Sequence, residues 1–159
     1  MSNCYTAFSA SFAIRSPEEL EWWEAVESTQ NAGAEYGRTV LQRLGIEWNN
    51  QMEYILENFP HLWPSFTLEV HEEAQLVRLY AEESSDFEIL ACIMQACLRR
   101  FRPQEVFSLT WADYCDKPVL GGFGGGVLVV TADEIITETS GETQERLSRE
   151  ALQRVQKGE

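Results

Sequence analysis

Apolar and polar residues alternate from Tyr5 to Ile14, placing Phe8, Ala10, Phe12 and Ile14 on one side of the chain. A period of two is that of a half-buried strand. Ser16-Pro17-Glu18-Glu19 then predicts a helix start, with serine as N-cap, proline at the first helical position and Glu19 completing a capping box. Leu20, Trp22, Trp23 and Val26 share one face of that helix, Glu18, Glu21 and Glu24 take the other, and the pattern fades around Asn31-Ala32-Gly33. A second helix is expected over 35–44 with Gly45 as its stop, and a third over 47–58, ahead of Pro60. Trp48, Met52, Ile55, Leu56 and Phe59 follow the spacing of one buried stripe on the third.

Alternation resumes over 66–70, the polar group around Glu72-Glu73 reads as a turn, and 76–81 reads as a second strand, together a hairpin. Ser84-Ser85-Asp86 is expected to cap a central helix in which Phe87, Leu90, Ala91, Met94, Leu98 and Phe101 form one stripe, widened by Ile89, Ile93 and Cys97 and ended by Pro103. Further strands are expected over 105–111 and, after a glycine-rich loop, over 127–132, with Ile135, Ile136 and Thr137 prolonging the sheet. The polar tail over 141–159 reads as a surface helix or a partly frayed end.

This order predicts an α+β fold: a mostly antiparallel sheet of about five strands with helices on one face, split β-α-β-like, with a helical insertion at about 34–59. A chain of 159 residues without internal repeat or low-complexity linker is expected to form a single domain, 1–159.

Charge changes the picture most. The chain carries 26 Asp and Glu against 12 Lys and Arg, a formal net charge of -14. Such a surface repels nucleic-acid phosphates and anionic membranes, so neither direct nucleic-acid binding nor membrane binding is expected. It attracts basic proteins, including those whose usual ligand is nucleic acid; the plainer reading is that net charge keeps the chain soluble. The acidic residues cluster, with Glu18, Glu19, Glu21, Glu24 and Glu27 on the first helix and Glu69, Glu72, Glu73, Glu82, Glu83, Asp86 and Glu88 around the hairpin and the next helix. Part of this pattern serves helix N-termini. Glu18, Glu21, Glu24, Glu72, Glu73, Glu82 and Glu83 remain as candidate partner-binding residues; the oligomeric state is left open.

Cys4, Cys92, Cys97 and Cys115 form no C-x-x-C pair and are expected to be reduced, mostly buried thiols. The N-terminal stretch has no basic segment ahead of its apolar residues, so no signal peptide or anchor is expected, and a cytoplasmic compartment follows, without saying whose cytoplasm.

Candidate chemistry concentrates in 111–126, where Gly121, Gly122, Gly124, Gly125 and Gly126 fall within six positions. Glycines let a backbone approach another surface, as a phosphate cradle does. No Gly-Lys-Ser/Thr follows, however, and the run leads into a strand rather than a helix, which favours a structural loop or bulge. Asp113 and Asp116, with Asp133 and Glu134, are candidate ligands for a hard cation, but their spacing matches no calcium loop and aspartates suit turns. Cys115, beside Asp116 and Lys117, is a candidate low-pKa thiol with His61 or His71 as base, against the simpler reading of an idle packed thiol. Two histidines without a third ligand make a weak zinc site. No nucleophile elbow, H-E-x-x-H or dinucleotide fingerprint is present, so no catalytic residue and no cofactor is expected. The alternative site is the loop Asp113, Cys115, Asp116, Lys117, Gly122, Phe123 and Gly124. The five tryptophans read as core material, except that Trp22 and Trp23 point about 100° apart, which would leave one of them near the surface.

Trp111-Ala112, Cys115-Asp116-Lys117-Pro118, Phe123-Gly124-Gly125-Gly126 and Val129-Val130-Thr131-Ala132, within 98–133, together with the opening YTAFSASFAI, carry a resemblance. This part of the chain resembles a family of small proteins of phages, plasmids and other mobile elements whose shared motif has no chemistry attached to it. The resemblance implies a mobile-element setting, in which small acidic proteins act against host defence, for example as DNA mimics against restriction or CRISPR complexes. The expected function is therefore an acidic protein-binding module inhibiting a nucleic-acid-binding host protein; the alternative is a small enzyme or ligand-binding domain using the loop 113–126.

Overall fold

A computed structural model describes residues 3–59, 64–83, 87–118 and 120–158. The chain opens with β1 (Cys4–Ala13), followed by helices α1 (Pro17–Ser28), α2 (Ala34–Arg43) and α3 (Asn50–Asn58). The hairpin β2 (Thr67–His71) and β3 (Leu76–Ala81) precedes the central helix α4 (Phe87–Phe101). A meander of β4 (Phe107–Cys115), β5 (Gly124–Val130) and β6 (Ile135–Thr139) leads into the terminal helix α5 (Ser140–Gln156).

Six strands form one antiparallel sheet in the order β2-β3-β1-β4-β5-β6. β1 and β2 run parallel with β3 between them, and β3 and β4 run parallel with β1 between them. The expected split β-α-β unit is thus used twice, the ferredoxin-like plan. The sixth strand comes from Ile135–Thr139, which folds back on β5 across a turn where the Thr131 hydroxyl accepts the Asp133 and Glu134 N–H groups.

One face of the sheet is the core. Phe8 and Phe12 of β1, Val77 and Leu79 of β3, Phe107 and Leu109 of β4, and Leu128 and Val130 of β5 are buried there beneath α1 and α4. Each such side chain contributes roughly 1.5–3 kcal/mol by leaving water. The stripe along α4 is buried as its periodicity requires. Trp22 and Trp23 are both buried, contrary to the expectation for adjacent helical positions. Trp22 is covered because its indole donates to Leu44 O (3.1 Å) at the end of α2 and packs edge-on against Phe101.

The α1 start is capped by Ser16, whose hydroxyl accepts the Glu19 N–H (3.2 Å), but the Glu19 carboxylate reaches past Ser16 to the Arg15 N–H (2.9 Å). The box is not closed because Glu19 is pulled inward to Arg102. α3 starts three residues later than expected, at the cap Asn49, and Phe59 is exposed against Tyr54 instead of joining the stripe. Edge strand β2 is closed to further pairing by the end of α1 and the residues after it: the Gln30 amide bonds both Leu68 N–H and Leu68 O, and Glu27 accepts the Val70 N–H (2.6 Å). The tail forms a full helix with a Thr139–Glu142 capping box and no buried residue. Ser84-Ser85-Asp86, expected to cap α4, lies outside the described residues.

The opposite face presents Ser9, Ser11, Ser108, Thr110 and Val127 at its centre, all exposed. Among the described residues only the first turns of α5 approach it, at the β5–β6 end, where Thr143 and Leu147 line a cleft with Val127 and Glu138.

Candidate functional site

The glycine-rich segment is part loop and part strand: Gly121 and Gly122 lie in the β4–β5 connection, and Gly124, Gly125 and Gly126 lie in β5. Trp111 pairs with Gly126, Ala112 with Gly125 and Asp113 with Gly124, so β4 runs on to Cys115 and β5 begins at Gly124. A Cβ on Gly126 would collide with the Trp111 ring, and one on Gly125 (φ +150°) with the Trp111 carbonyl oxygen. These glycines are required by the close approach of Trp111, not by a phosphate. The indole stacks on Phe87 with centroids 4.6 Å apart and donates to Asp113 Oδ2 (3.2 Å). Asp113 Oδ1 accepts the Thr6 hydroxyl (2.7 Å), tying β4 to β1. Between β5 and the first two turns of α5 lies a cleft of about 430 Å³, lined by Trp111, Gly124, Gly126, Glu138, Thr143 and Leu147 among others.

Cys115 is not a free thiol. It forms a disulfide with Cys4, its direct partner in the β1–β4 ladder across 111 residues of sequence. The expectation of four reduced thiols is thereby corrected: Cys92 and Cys97 are outside any disulfide, and the other two are brought together by register, which spacing along the chain does not reveal. With the thiol consumed, the Cys115 nucleophile falls away, and so does the cysteine argument for a reducing compartment. His71 sits with Glu69 (3.1 Å) on β2, three strands from β4, and His61 lies outside the described residues. Asp116 accepts the Asn3 N–H (3.0 Å), Lys117 and Phe123 are exposed, and Gly122 is half-buried. Asp133 and Glu134 follow the far end of β5 from Asp113, so the four carboxylates do not converge; no cluster fit to hold a metal occurs among the described residues.

Two further polar groups are structural. Glu19 and Arg102 form a buried ion pair, with Arg102 also bound to Ala13 O, stacked over Phe12 (3.9 Å) and 3.4 Å from Glu105. Burial pushes the neighbouring Cys97 thiol far above its ordinary pKa, and the Glu19 carboxylate adds to this, so Cys97 stays protonated.

The candidate acidic residues divide into two groups. Glu18, Glu21 and Glu24 form an exposed row on α1 at i,i+3 spacing. Glu72 and Glu73 lie in the β2–β3 turn, held beside the end of β1 and the start of α1 by the Ile14 N–H bond to Gln75 O (2.8 Å). Glu82 and Glu83 lie at the other end of β3, anchored by Thr6 N–H to Glu83 O (2.9 Å) and Tyr114 OH to Glu82 O (3.5 Å). Six residues of β3 separate them from the turn, roughly 20 Å. None of these seven carboxylates has an ion-pair partner among the described residues. Glu27 and Glu69, their neighbours in sequence, are consumed by the β2 edge and by Tyr80.

Sequence reasoning missed the uncovered sheet face. Its signal was the run of small polar residues at alternate positions, Ser9, Ser11, Ser108 and Thr110, facing away from the apolar series. Comparison with family models, with curated proteins and with solved structures finds no match to this chain.

Proposed function

We propose that the protein is an acidic binding module that engages a basic, nucleic-acid-binding protein through the outer row of α1 and the β2–β3 turn. The reading is carried by one observation: Glu18, Glu72 and Glu73 stand exposed and unpaired at one end of the sheet, with Glu21 and Glu24 continuing the row along α1. Arg15 is paired with Glu105, Arg38 with Glu53 and Arg102 with Glu19, and Arg78 of β3 stacks over Tyr80. Uncompensated carboxylates within a Debye length of about 8–10 Å reinforce one another and steer a cationic partner into contact. The resemblance to mobile-element proteins supports a host-defence nuclease or related complex as the target.

The test is capture from a bacterial lysate at rising salt, comparing the native chain with an E18K/E21K/E24K/E72K/E73K variant whose fold is checked by circular dichroism. Loss of a salt-sensitive basic partner supports the assignment; capture unaffected by charge reversal rejects it. The cleft beneath Trp111 supports a second reading, small-ligand binding, for which quenching of tryptophan emission that disappears in Trp111→Phe is the signature.

A further inference from the structure

We infer that the Cys4–Cys115 bridge is a thiol-reducible latch that fixes Trp111, and with it one wall of the cleft between β5 and α5, while the fold stands in either redox state. The bridge closes the end of the β1–β4 ladder. Cys4 is exposed there and Cys115 is buried, so an external thiolate has one of the two sulfurs within reach. Exposed disulfides are the readily reduced ones. The other two cysteines belong to α4, Cys92 half-buried and Cys97 buried, so the attacking thiol comes from outside the chain.

Both sides of the bridge are held without it. Beyond it, the Asp116 N–H donates to Asn3 O (2.9 Å) and the Asn3 N–H to Asp116 Oδ1 (3.0 Å); before it, the ladder runs on through Tyr5–Tyr114, Thr6–Asp113 and Ala7–Ala112. Opening the S–S bond therefore leaves the strands paired. Cys115 Sγ also lies 3.2 Å from Gly122 O. A bridged sulfur has no proton to give that carbonyl, whereas the thiol released by reduction has one, and this weak S–H···O bond stabilises the reduced form alone. Reduction takes two exchanges. The thiolate of a monothiol attacks Cys4 Sγ, the S–S bond breaks, and Cys115 leaves as a thiolate that takes up a proton. A second monothiol attacks the sulfur of the first, Cys4 leaves and is protonated, and the two monothiols depart as their own disulfide. Two external thiols are oxidised, and their two electrons and two protons end on the cysteines.

The state of the bridge is passed on along one side of the ladder. Residues two apart on a strand share a face, so the next pair on the bridge's own face is Thr6–Asp113. Asp113 accepts the Thr6 hydroxyl on Oδ1 (2.7 Å) and the Trp111 indole on Oδ2 (3.2 Å), so one carboxylate ties β1 to the ring that lines the cleft. With the bridge closed, the spacing of β1 and β4 is fixed by covalent bonds two residues from Asp113. With it open, hydrogen bonds alone set that spacing and the strand end opens more readily. Asp113 is loosened, and Trp111 with it. The latch acts on the cleft wall whatever the cleft holds.

The test equilibrates the native chain in buffers of reduced and oxidised glutathione that span an oxidising to a reducing compartment, quenches it in acid and counts thiols by alkylation and mass. Half-opening is expected inside that span, with the circular dichroism of the folded chain retained. In the reduced chain, hydrogen exchange of the amides in 111–116 should quicken at least about tenfold while that of α4 stays unchanged. Tryptophan emission should shift on reduction, and Trp111→Phe should abolish the shift. Cys4→Ser/Cys115→Ser should match the reduced chain and ignore glutathione. A bridge still closed at the reducing end, a chain that unfolds on reduction, unchanged exchange in 111–116, or an emission shift that survives Trp111→Phe overturns the inference.

Discussion

Trp111 and Gly126 stand opposite each other in the β4–β5 ladder, and the indole fills the space that a side chain at 126 would need. A methyl there would also come within 2.7 Å of Glu138 O. Gly126→Ala should therefore cost on the order of 1–3 kcal/mol by overpacking. Gly125→Ala should cost more, because it meets backbone and its φ of +150° is strained for any L side chain. Gly121→Ala is the control: its Cβ meets open space, so only the positive φ of 75° is penalised, by about 1–2 kcal/mol. Urea unfolding followed by tryptophan emission gives the ranking.

The buried Glu19–Arg102 pair predicts an asymmetry between single and double substitutions. Either Glu19→Gln or Arg102→Met leaves one member uncompensated and should destabilise by about 3–5 kcal/mol. Glu19→Leu with Arg102→Met removes both charges and should recover a large part of that loss. Equal costs for the single and double variants would show that the pair is not coupled.

For the Cys4–Cys115 bridge the expectation is a thiol count. Alkylation of the denatured chain without reductant should label Cys92 and Cys97 alone, and all four cysteines after reduction. Cys115→Ser should lower the unfolding free energy by about 2–4 kcal/mol, since the bridge closes a long loop in the unfolded chain. Four labelled thiols without reductant would refute the bridge.

Acid and alkali act on one hydrogen bond of the hairpin. Tyr80 donates its hydroxyl to Glu69 (2.9 Å), which holds the Glu69 carboxyl below its ordinary value of 4.5 and raises the Tyr80 phenol above its ordinary 10. A lowered carboxyl pKa contributes stability that is present above pH 4.5 and lost as pH falls through the folded-state value. The raised phenol contributes stability that is present below pH 10 and lost as pH rises through its folded-state value. Tyr80→Phe should move the Glu69 carboxyl titration, followed by NMR, back up toward 4.5 and flatten both arms of the melting-temperature profile. An unmoved Glu69 titration would place the cause elsewhere.

Most elements were legible because their signals are local. The serine cap before Pro17, the alternation in Phe8–Phe12 and the α4 stripe each report which side of an element is apolar, and burial follows that pattern. Helix α3 was placed too early because Trp48 fits a helical stripe, whereas its indole instead donates to Glu53 (2.6 Å) from outside the helix. The strand part of the glycine run, Gly124–Gly126, read as loop because glycine disfavours strands, a preference that the packing of Trp111 overrides.

The sequence by itself determined the acidic surface, the α+β class, the order of elements and the apolar side of most of them, since each depends on composition or on residues within a few positions. Tertiary structure alone decided the Cys4–Cys115 bridge, the Glu19–Arg102 pair, the separation of the acidic residues into two groups and the uncovered sheet face. Each of these depends on which strands become neighbours and in what register. Pairing across some hundred residues is selected by the summed burial of the whole core, and no local pattern encodes that sum.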